Sequence, residues 1–213
     1  MNKQAYFQEL MNQETSTKQK LFYSAVYLFS HKGFANVGIR ELCASVKVKE
    51  SAFYNHYKSK DEIFSRILEY LVQTSNQVKY SDKEIEKAVK TGDIRLFFEQ
   101  NMQKFMDTAG NPLYHTILQI VMMESFIHPE ARTIAYGNLY YLRRDYTEKV
   151  LRGMLDGGAI RECDPRLVTA SYYYGLKGLL DEYLLLEVWD DDVAAISLRI
   201  KEHVGFFVDM LRK

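Results

Sequence analysis

The sequence predicts an all-α protein that has a small N-terminal three-helix domain followed by a larger helical bundle. Apolar residues recur at helical spacing along most of the chain, and no segment shows the strict alternation of a strand. Pro112, Pro129 and Pro165 each stand where a helical pattern begins, which is a favoured position for proline. The predicted domains are residues 1–58 and residues 59–213.

Composition narrows the class of protein. The chain has 213 residues, of which 47% are hydrophobic, so it can build substantial cores. Cys43 and Cys163 lie far apart without a C-x-x-C pair, which argues against a disulfide framework or a zinc ribbon and fits a reducing cytosol. No signal peptide and no run of 18 apolar residues is found, so we expect a cytoplasmic protein without a membrane partner.

The chain opens with residues 1–15, which we expect to be a loose arm. Ser16 and Gln19 then form a possible capping box, and the first helix should run from there to about Lys32. Its apolar stripe, which should pack on the helices that follow, comprises Leu21, Phe22, Ala25, Leu28 and Phe29.

Residues 36–62 are the stretch around which the chain is organised. One helical face is formed by Ile39, Leu42, Cys43 and Val46, and the pattern breaks at Lys47 before a second short apolar face begins. That second face comprises Ala52, Phe53 and Tyr57. Two short amphipathic helices cannot bury these faces alone. Packed across each other they form a helix-turn-helix, whose second helix can lie in a DNA major groove.

The polar side chains of this stretch have the chemistry that groove edges and phosphates require. Glu50 is an unusual type there: it could accept from a cytosine amino group or simply face solvent. Tyr54 could instead pack under the first helix, and His56 could be a structural hydrogen-bonding group. The predicted DNA-binding residues are Lys18, Arg40, Lys49, Glu50, Ser51, Tyr54, Asn55, His56, Lys58 and Lys60.

The distribution of charge along the chain also favours DNA binding by the N-terminal part. Residues 1–60 hold nine of the 28 basic residues and four of the 28 acidic ones, a balance of +5. The remaining residues hold 19 basic and 24 acidic side chains, a balance of −5. A basic head on an acidic body favours attraction of phosphate at one end, although random clustering of surface charge would give the same balance.

Residues 17–65 resemble the DNA-binding domain of the tetracycline-repressor (TetR) family of bacterial regulators. The matching features are Gly33-Phe34 at the end of the first helix, the helix of residues 39–44, and the run FYNHYKSKDE of residues 53–62. The chain departs from the family at Lys47, which is often Gly, and at Gly38, which is often Ser or Thr. If Lys47 takes a left-handed conformation, this costs roughly 1–2 kcal/mol.

The resemblance implies a homodimer that binds a palindromic double-stranded operator and is released by a small-molecule effector. It also implies that the last two helices form the subunit interface. Gly175 and Gly178 would allow close approach of the helices there, although this pair of helices could equally pack within one subunit.

The predicted bounds of the helices after the head are set by capping residues and by helix-breaking residues. Ser59 with Glu62 should start a helix that ends near residue 79, Ser81 with Glu84 one that stops at Gly92, and Asp93 one that ends at Gly110. The remaining helices are predicted at 112–127, 129–156, 165–187 and 191–212.

An effector site is predicted among the helices of the body, because adaptable, aromatic and polar groups recur there at helical spacing. Such stripes are more often plain core, but His115, Gln119 and Arg144 are groups that a plain core would omit. The 16 tyrosines favour an aromatic or planar ligand. The predicted effector-binding residues are Met102, Phe105, Met106, His115, Gln119, Met122, Phe126, Tyr136, Tyr140, Arg144 and Tyr173.

No catalytic or cofactor motif is found. The sequence has no G-x-G-x-x-G, Walker loop or G-x-S-x-G, and Glu124 with His128 lacks the second ligand pair that a metal site needs. We therefore expect no enzyme activity, no cofactor and no metal. The alternative is a cytoplasmic helical-bundle enzyme or interaction module that retains a vestigial DNA-binding head.

Overall fold

A computed structural model of the chain describes residues 3–77, 79–188 and 191–213. Within these ranges, the side chains of residues 105, 109, 139–143, 187 and 188 lie outside the description. The described residues form helices and no strand, so the predicted all-α class is confirmed. One isolated antiparallel bridge joins Ile160 to Arg212.

The helices divide between two compact units, the first containing residues up to 77 together with 107–136, and the second containing 78–106 together with 137–213. The first unit holds α1 (Lys3–Gln13), α2 (Thr17–Lys32), α3 (Ile39–Ser45), α4 (Glu50–Tyr54), α5 (Lys60–Gln77), α8 (Pro112–Glu124) and α9 (Pro129–Ile134). The second holds α6 (Asp82–Thr91), most of α7 (Ile94–Ala109), most of a π-helical segment (Ala135–Tyr141), α10 (Leu142–Asp156), α11 (Pro165–Val188) and α12 (Ala194–Leu211).

The predicted loose arm is wrong, because Lys3–Gln13 forms helix α1. Phe7 and Met11, one helical turn apart, are buried, and the ring of Phe7 lies 5.9 Å from that of Tyr27 on α2. Lys3 Nζ donates to Gln119 Oε1 at 2.8 Å, which fastens the start of the helix to α8. Although residues 3–13 are mostly polar, burial of these two large side chains orders them as a helix.

The core of the first unit follows the predicted stripes. Leu21, Ala25 and Phe29 of α2 are fully buried, as are Leu42 of α3 and Phe53 of α4. The buried face of α5 comprises Ile63, Phe64, Ile67, Leu68 and Leu71. α5 therefore closes the three-helix head with an apolar face, as expected from its i, i+4 pattern.

Helix ends agree with the sequence where a cap or breaker was visible. Ser16 Oγ accepts from the Gln19 amide, Ser81 and Glu84 form a complete capping box, and Gly92 ends α6 in the left-handed region at φ 65°. The predicted helix at 129–156 is instead interrupted by the π-helical segment, and the one predicted at 112–127 ends at Glu124. Gly137 lies inside the π-helical segment, but a glycine within a helical pattern does not by itself predict such a break.

The second unit is built on one apolar cluster. Its largest fully buried side chains include Phe97, Phe98 and Tyr172, which pack with Met154 of α10 and Val208 of α12. Within the cluster lies a hydrogen-bonded polar group: Asn101 bonds both Tyr173 and Tyr146 at 2.9 Å, and Thr147 lies 3.0 Å from the Tyr173 hydroxyl. These polar atoms are satisfied by one another, as burial requires.

Candidate nucleic-acid interface

The turn between α3 and α4 is formed by Lys47, whose φ of 57° lies in the left-handed region. Its amide donates to Ala44 O at 3.1 Å, and the amide of Val48 donates to Cys43 O at 3.0 Å, which satisfies the last carbonyls of α3. Lys47 thus takes the left-handed conformation, the case in which the turn is strained. Gly38 precedes α3 as its N-cap, and Glu41 of the first turn pairs with Lys32 at 2.5 Å.

Helix α4 has a buried face and an exposed polar face. Phe53 is fully buried, whereas Tyr54 is 59% exposed. The side chains that face outward around it are Lys49, Ser51, Asn55 and Lys58, and His56 is half-buried. A short helix whose outer face carries donors, acceptors and cations is suited to reading base edges and phosphates.

The end of this segment is held against α2. Tyr57 is buried and its hydroxyl donates to Lys18 O at 3.1 Å, while Lys18 Nζ lies 5.6 Å from the centre of the Tyr57 ring. Burial raises the pKa of Tyr57 to about 12, so the phenol keeps its proton throughout the physiological range. Lys18 itself is exposed, and its ammonium is placed next to the reading segment.

Glu50 forms an ion pair rather than standing alone in solvent. Its Oε1 accepts from Arg40 Nε at 2.8 Å, which joins the start of α4 to α3. The Arg40 side chain is 88% exposed, so its remaining N–H groups are open to solvent. The pair gives Glu50 a partner within the protein, although an ion pair this exposed contributes little to stability.

Lys60 is engaged within the protein. Its Nζ donates to Phe34 O at 2.7 Å and to Val37 O at 2.9 Å, and it lies 4.2 Å from the centre of the Phe34 ring. An ammonium has three donors, and two are used here. Its predicted contact with phosphate stays a prediction, but these bonds supply a different reason for a cation at the start of α5.

The predicted effector-binding residues do not all have ligand-like surroundings. In the first unit His115 and Gln119 are buried, Met122 is half-buried, and Phe126 and Tyr136 are exposed. Gln119 is used by the fold: it accepts from Lys3 and donates to Ser30 O at 3.1 Å. Its amide therefore needs no ligand to explain its burial.

In the second unit Tyr173 lies in the buried polar group with Asn101. Met102 is half-buried and Met106 exposed, whereas Arg144 lies 5.2 Å from the ring of Tyr174 and donates to its hydroxyl at 3.2 Å. The side chains of Phe105 and Tyr140 lie outside the described residues. The effector assignment as a whole stays a prediction.

The two predicted interface glycines differ. A Cβ on Gly175 would lie 2.4 Å from His203 Cε1, so this glycine allows α12 of the same chain to approach α11. Gly178 is exposed, and a Cβ there would meet no atom within 4 Å. The intrasubunit alternative thus accounts for Gly175, while Gly178 remains open on the surface.

Two residues near this interface were not among the predicted site residues: Lys47, whose exposed cation lies at the turn, and Glu124, whose carboxylate accepts from the Phe34 amide at 2.8 Å. The signal for Glu124 was a charged residue at the end of an otherwise apolar helix. No group of three His, Cys, Asp or Glu in the described ranges is placed to hold a metal. Of the helices that the structure describes, none has the length and hydropathy to cross a bilayer.

Comparison with known proteins agrees with this geometry. Residues 21–67 match the sequence model of the bacterial regulatory proteins of the tetR family. The chain is 24% identical over 139 residues to the HTH-type transcriptional regulator YerO of Bacillus subtilis, and 35% identical over 52 residues to the biofilm operon negative transcriptional regulator IcaR of Staphylococcus epidermidis. The alignments cover 65% and 24% of this chain, but only 45% and 28% of those proteins.

Solved structures share the whole fold. The TetR family regulator PfmR of Thermus thermophilus is 21% identical with a TM-score of 0.57, covering 91% of this chain and 100% of that one. A TetR regulator of Haloarcula marismortui is 16% identical with a TM-score of 0.59, covering 92% and 98%.

Fold and exposed face together define the class of protein: an all-α protein with an N-terminal helix-turn-helix DNA-binding domain. The match at residues 21–67 shows more narrowly that the head of this chain is a DNA-binding domain of the tetR family of bacterial regulatory proteins.

Proposed function

We propose that the protein is a transcriptional repressor that binds a palindromic operator as a homodimer and leaves it when a small effector binds. The single observation that carries the DNA-binding part is α4, which buries Phe53 and presents Tyr54, Asn55 and Lys58 outward. Because its proposed partner is chromosomal DNA, the protein acts in the cytoplasm. Repression is favoured by the relative IcaR, which is named a negative regulator.

Dimerisation is supported by exposed apolar side chains on the last two helices. On α11 these are Leu167, Tyr174 and Leu185, which with Gly178 follow intervals of seven, four and seven residues and so lie on one stripe. On α12, Leu198 and Phe206 are similarly exposed. An apolar stripe of this kind is suited to burial against a second copy of the chain.

We place the effector in the second unit, near Tyr173 and Asn101. The hydrogen bond between these two buried side chains could be replaced by a bond from one of them to a ligand. The surrounding cluster of Phe98, Tyr172 and Phe207 suits a planar or aromatic compound. Their present bonds would be the state without effector.

Selection from a library of random duplexes tests the DNA-binding proposal. Two heads on a twofold axis should enrich an inverted repeat whose half-site centres are separated by whole helical turns, each about 34–36 Å. Enrichment of a single asymmetric site would contradict the dimer, and no enrichment at low salt would contradict the function.

Thermal melting across a panel of aromatic and aliphatic metabolites tests the effector proposal. A true effector raises the melting temperature and weakens binding to the selected duplex, and by linkage the duplex weakens effector binding by the same factor. Tyr173→Phe should reduce the affinity for that compound. An unchanged affinity in the variant would place the site elsewhere.

A further inference from the structure

The loop of residues 33–37, which joins α2 to α3, is held from two sides. On one side the Phe34 amide donates to Glu124 Oε1 at 2.8 Å. On the other, Lys60 Nζ donates to the carbonyls of Phe34 and Val37. Both groups of the Phe34 backbone are therefore bonded to side chains from distant parts of the chain, and the carbonyl also accepts a longer bond from the Val37 amide at 3.5 Å within the loop.

Glu124 is unusual because it is a carboxylate that is almost fully buried. It is the last residue of α8, is only 8% exposed, and its Oε1 lies 3.6 Å from where a Cβ on Gly33 would stand. A buried carboxylate requires hydrogen-bond donors, and the Phe34 amide is one. Gly33, at φ 78°, turns the chain so that this amide points toward the carboxylate.

A second side chain of α8 forms a hydrogen bond near the end of α2. Gln119, five residues earlier on α8, donates to Ser30 O at 3.1 Å. The last carbonyls of a helix lack partners within it, and α8 supplies a partner for that of Ser30, in the last turn of α2. α8 thus holds both the final turn of α2 and the loop that follows.

Aromatic packing adds to these bonds. The rings of Phe34 and Phe64 lie 4.6 Å apart, and the His128 ring, just before α9, lies 4.7 Å from Phe64 and 5.8 Å from Phe34. A shift of the corner between α8 and α9 would therefore carry the loop with it. Since α3 begins at Ile39, one residue after its N-cap Gly38, the loop determines where the helix-turn-helix starts.

We propose that Glu124 and Lys60 are positioning residues for DNA reading: together they clamp the loop of residues 33–37 and so fix α3 and α4 for contact with the groove. The proposal rests on the proposed function and adds a means by which α8 controls it. Neither side chain touches DNA in this role. Breaking the clamp leaves the outward side chains of α4 in place but allows α4 to shift relative to the rest of the head.

Glu124→Ala tests the clamp, with Glu124→Gln and Glu130→Ala beside it. Gln keeps an acceptor for the Phe34 amide, so it should rescue binding. Glu130 is exposed on α9 and accepts from Ser65 of α5 at 3.2 Å, which makes it a matched loss of one carboxylate at the same corner. Each variant is titrated with the selected duplex and with a random duplex at several salt concentrations, well below its melting temperature.

Glu124→Ala should weaken binding to the selected duplex about tenfold, because it leaves a buried amide without its acceptor. The salt slope should be unchanged, and the Phe34 amide should exchange hydrogen about tenfold faster. Glu124→Gln and Glu130→Ala should stay within about twofold of the wild-type protein. Equal weakening by Glu124→Ala and Glu130→Ala would overturn the clamp.

Lys60→Met provides a second test of the clamp that does not depend on Glu124. If Lys60 is a positioning residue, Lys60→Met should lower the affinity for the selected duplex without altering the salt slope. Loss of a phosphate contact would instead reduce that slope by about one unit. A reduced slope would therefore overturn its positioning role.

The two proposals fail in different ways. If the wild-type protein binds no duplex, the proposed function fails, and the positioning role with it. If the wild-type protein binds and Glu124→Ala binds equally well, the positioning role alone fails.

Discussion

At the scale of single residues, the left-handed Lys47 shows that the turn between α3 and α4 carries strain. A side chain with a Cβ at φ 57° costs roughly 1–2 kcal/mol relative to glycine, which adopts this region freely. The residue is exposed and lies beside the reading helix, so its ammonium gives a reason for tolerating the cost.

Lys47→Gly should therefore raise the free energy of unfolding by about 0.5–1 kcal/mol, part of the gain being offset by the greater freedom of glycine in the unfolded chain. Lys47→Ala is the matched control, because it removes the charge and keeps the strain. Urea unfolding of the three proteins measures the difference. Equal stability of the Gly and Ala variants would show that the turn is unstrained.

Glu84 supplies a residue whose charge matters to stability. Its pKa is lowered from 4.5 to about 2, first by the hydrogen bond from Lys104 and then by those from the backbone and side chain of Ser81. A lowered pKa means that this stabilisation is fully present above about pH 4.5 and is lost as the pH falls toward 2.

Glu84→Gln should lower the free energy of unfolding at pH 7 by less than about 1 kcal/mol, since the pair is partly exposed and screened. The difference from the wild-type protein should shrink as the pH falls from 4.5 toward 2. Glu86→Gln, exposed on the same helix, should have little effect at any pH. Denaturant melts at a series of pH values measure this, and a pH-independent deficit in Glu84→Gln would contradict it.

At the scale of helices, the sequence predicted what local chemistry controls and missed what distant contacts control. Caps at Ser16 and Ser81 and the stop at Gly92 were visible, because each acts on its own neighbours. α1 was missed because only Phe7 and Met11 of its residues are buried. The bond between Glu124 and Phe34 joins residues 90 positions apart, and no periodicity reports such a contact.

The packing of α1 on α2 gives a prediction for this scale. Phe7→Ala removes a fully buried ring and should cost about 3–5 kcal/mol of stability if α1 unfolds together with the rest of its unit. Gln8→Ala, exposed on the same helix, serves as the control. Calorimetry compares the two. A Phe7→Ala loss as small as the control's would mean that α1 detaches independently.

At the scale of the whole molecule, the proposed dimer depends on the stripe shared by α11 and α12. Gly178→Leu should convert the protein to a monomer without unfolding it, because a Cβ there meets nothing within the chain but would separate helices packed across a twofold axis. Arg166→Leu adds similar apolar surface on another face of α11 and should leave the dimer intact. Sedimentation analysis distinguishes them, and a dimeric Gly178→Leu would remove this surface from the interface.

The central claim is that the outward face of α4 reads duplex DNA, and a titration of the selected inverted repeat at several salt concentrations tests it most directly. We expect one dimer per duplex, and an affinity that falls steeply as salt rises because cations of the head displace counterions from phosphates. Tyr54→Ala with Asn55→Ala should reduce the preference for the selected duplex over a random one, without changing the fold. If the double variant kept the full preference, α4 would not be the reading helix.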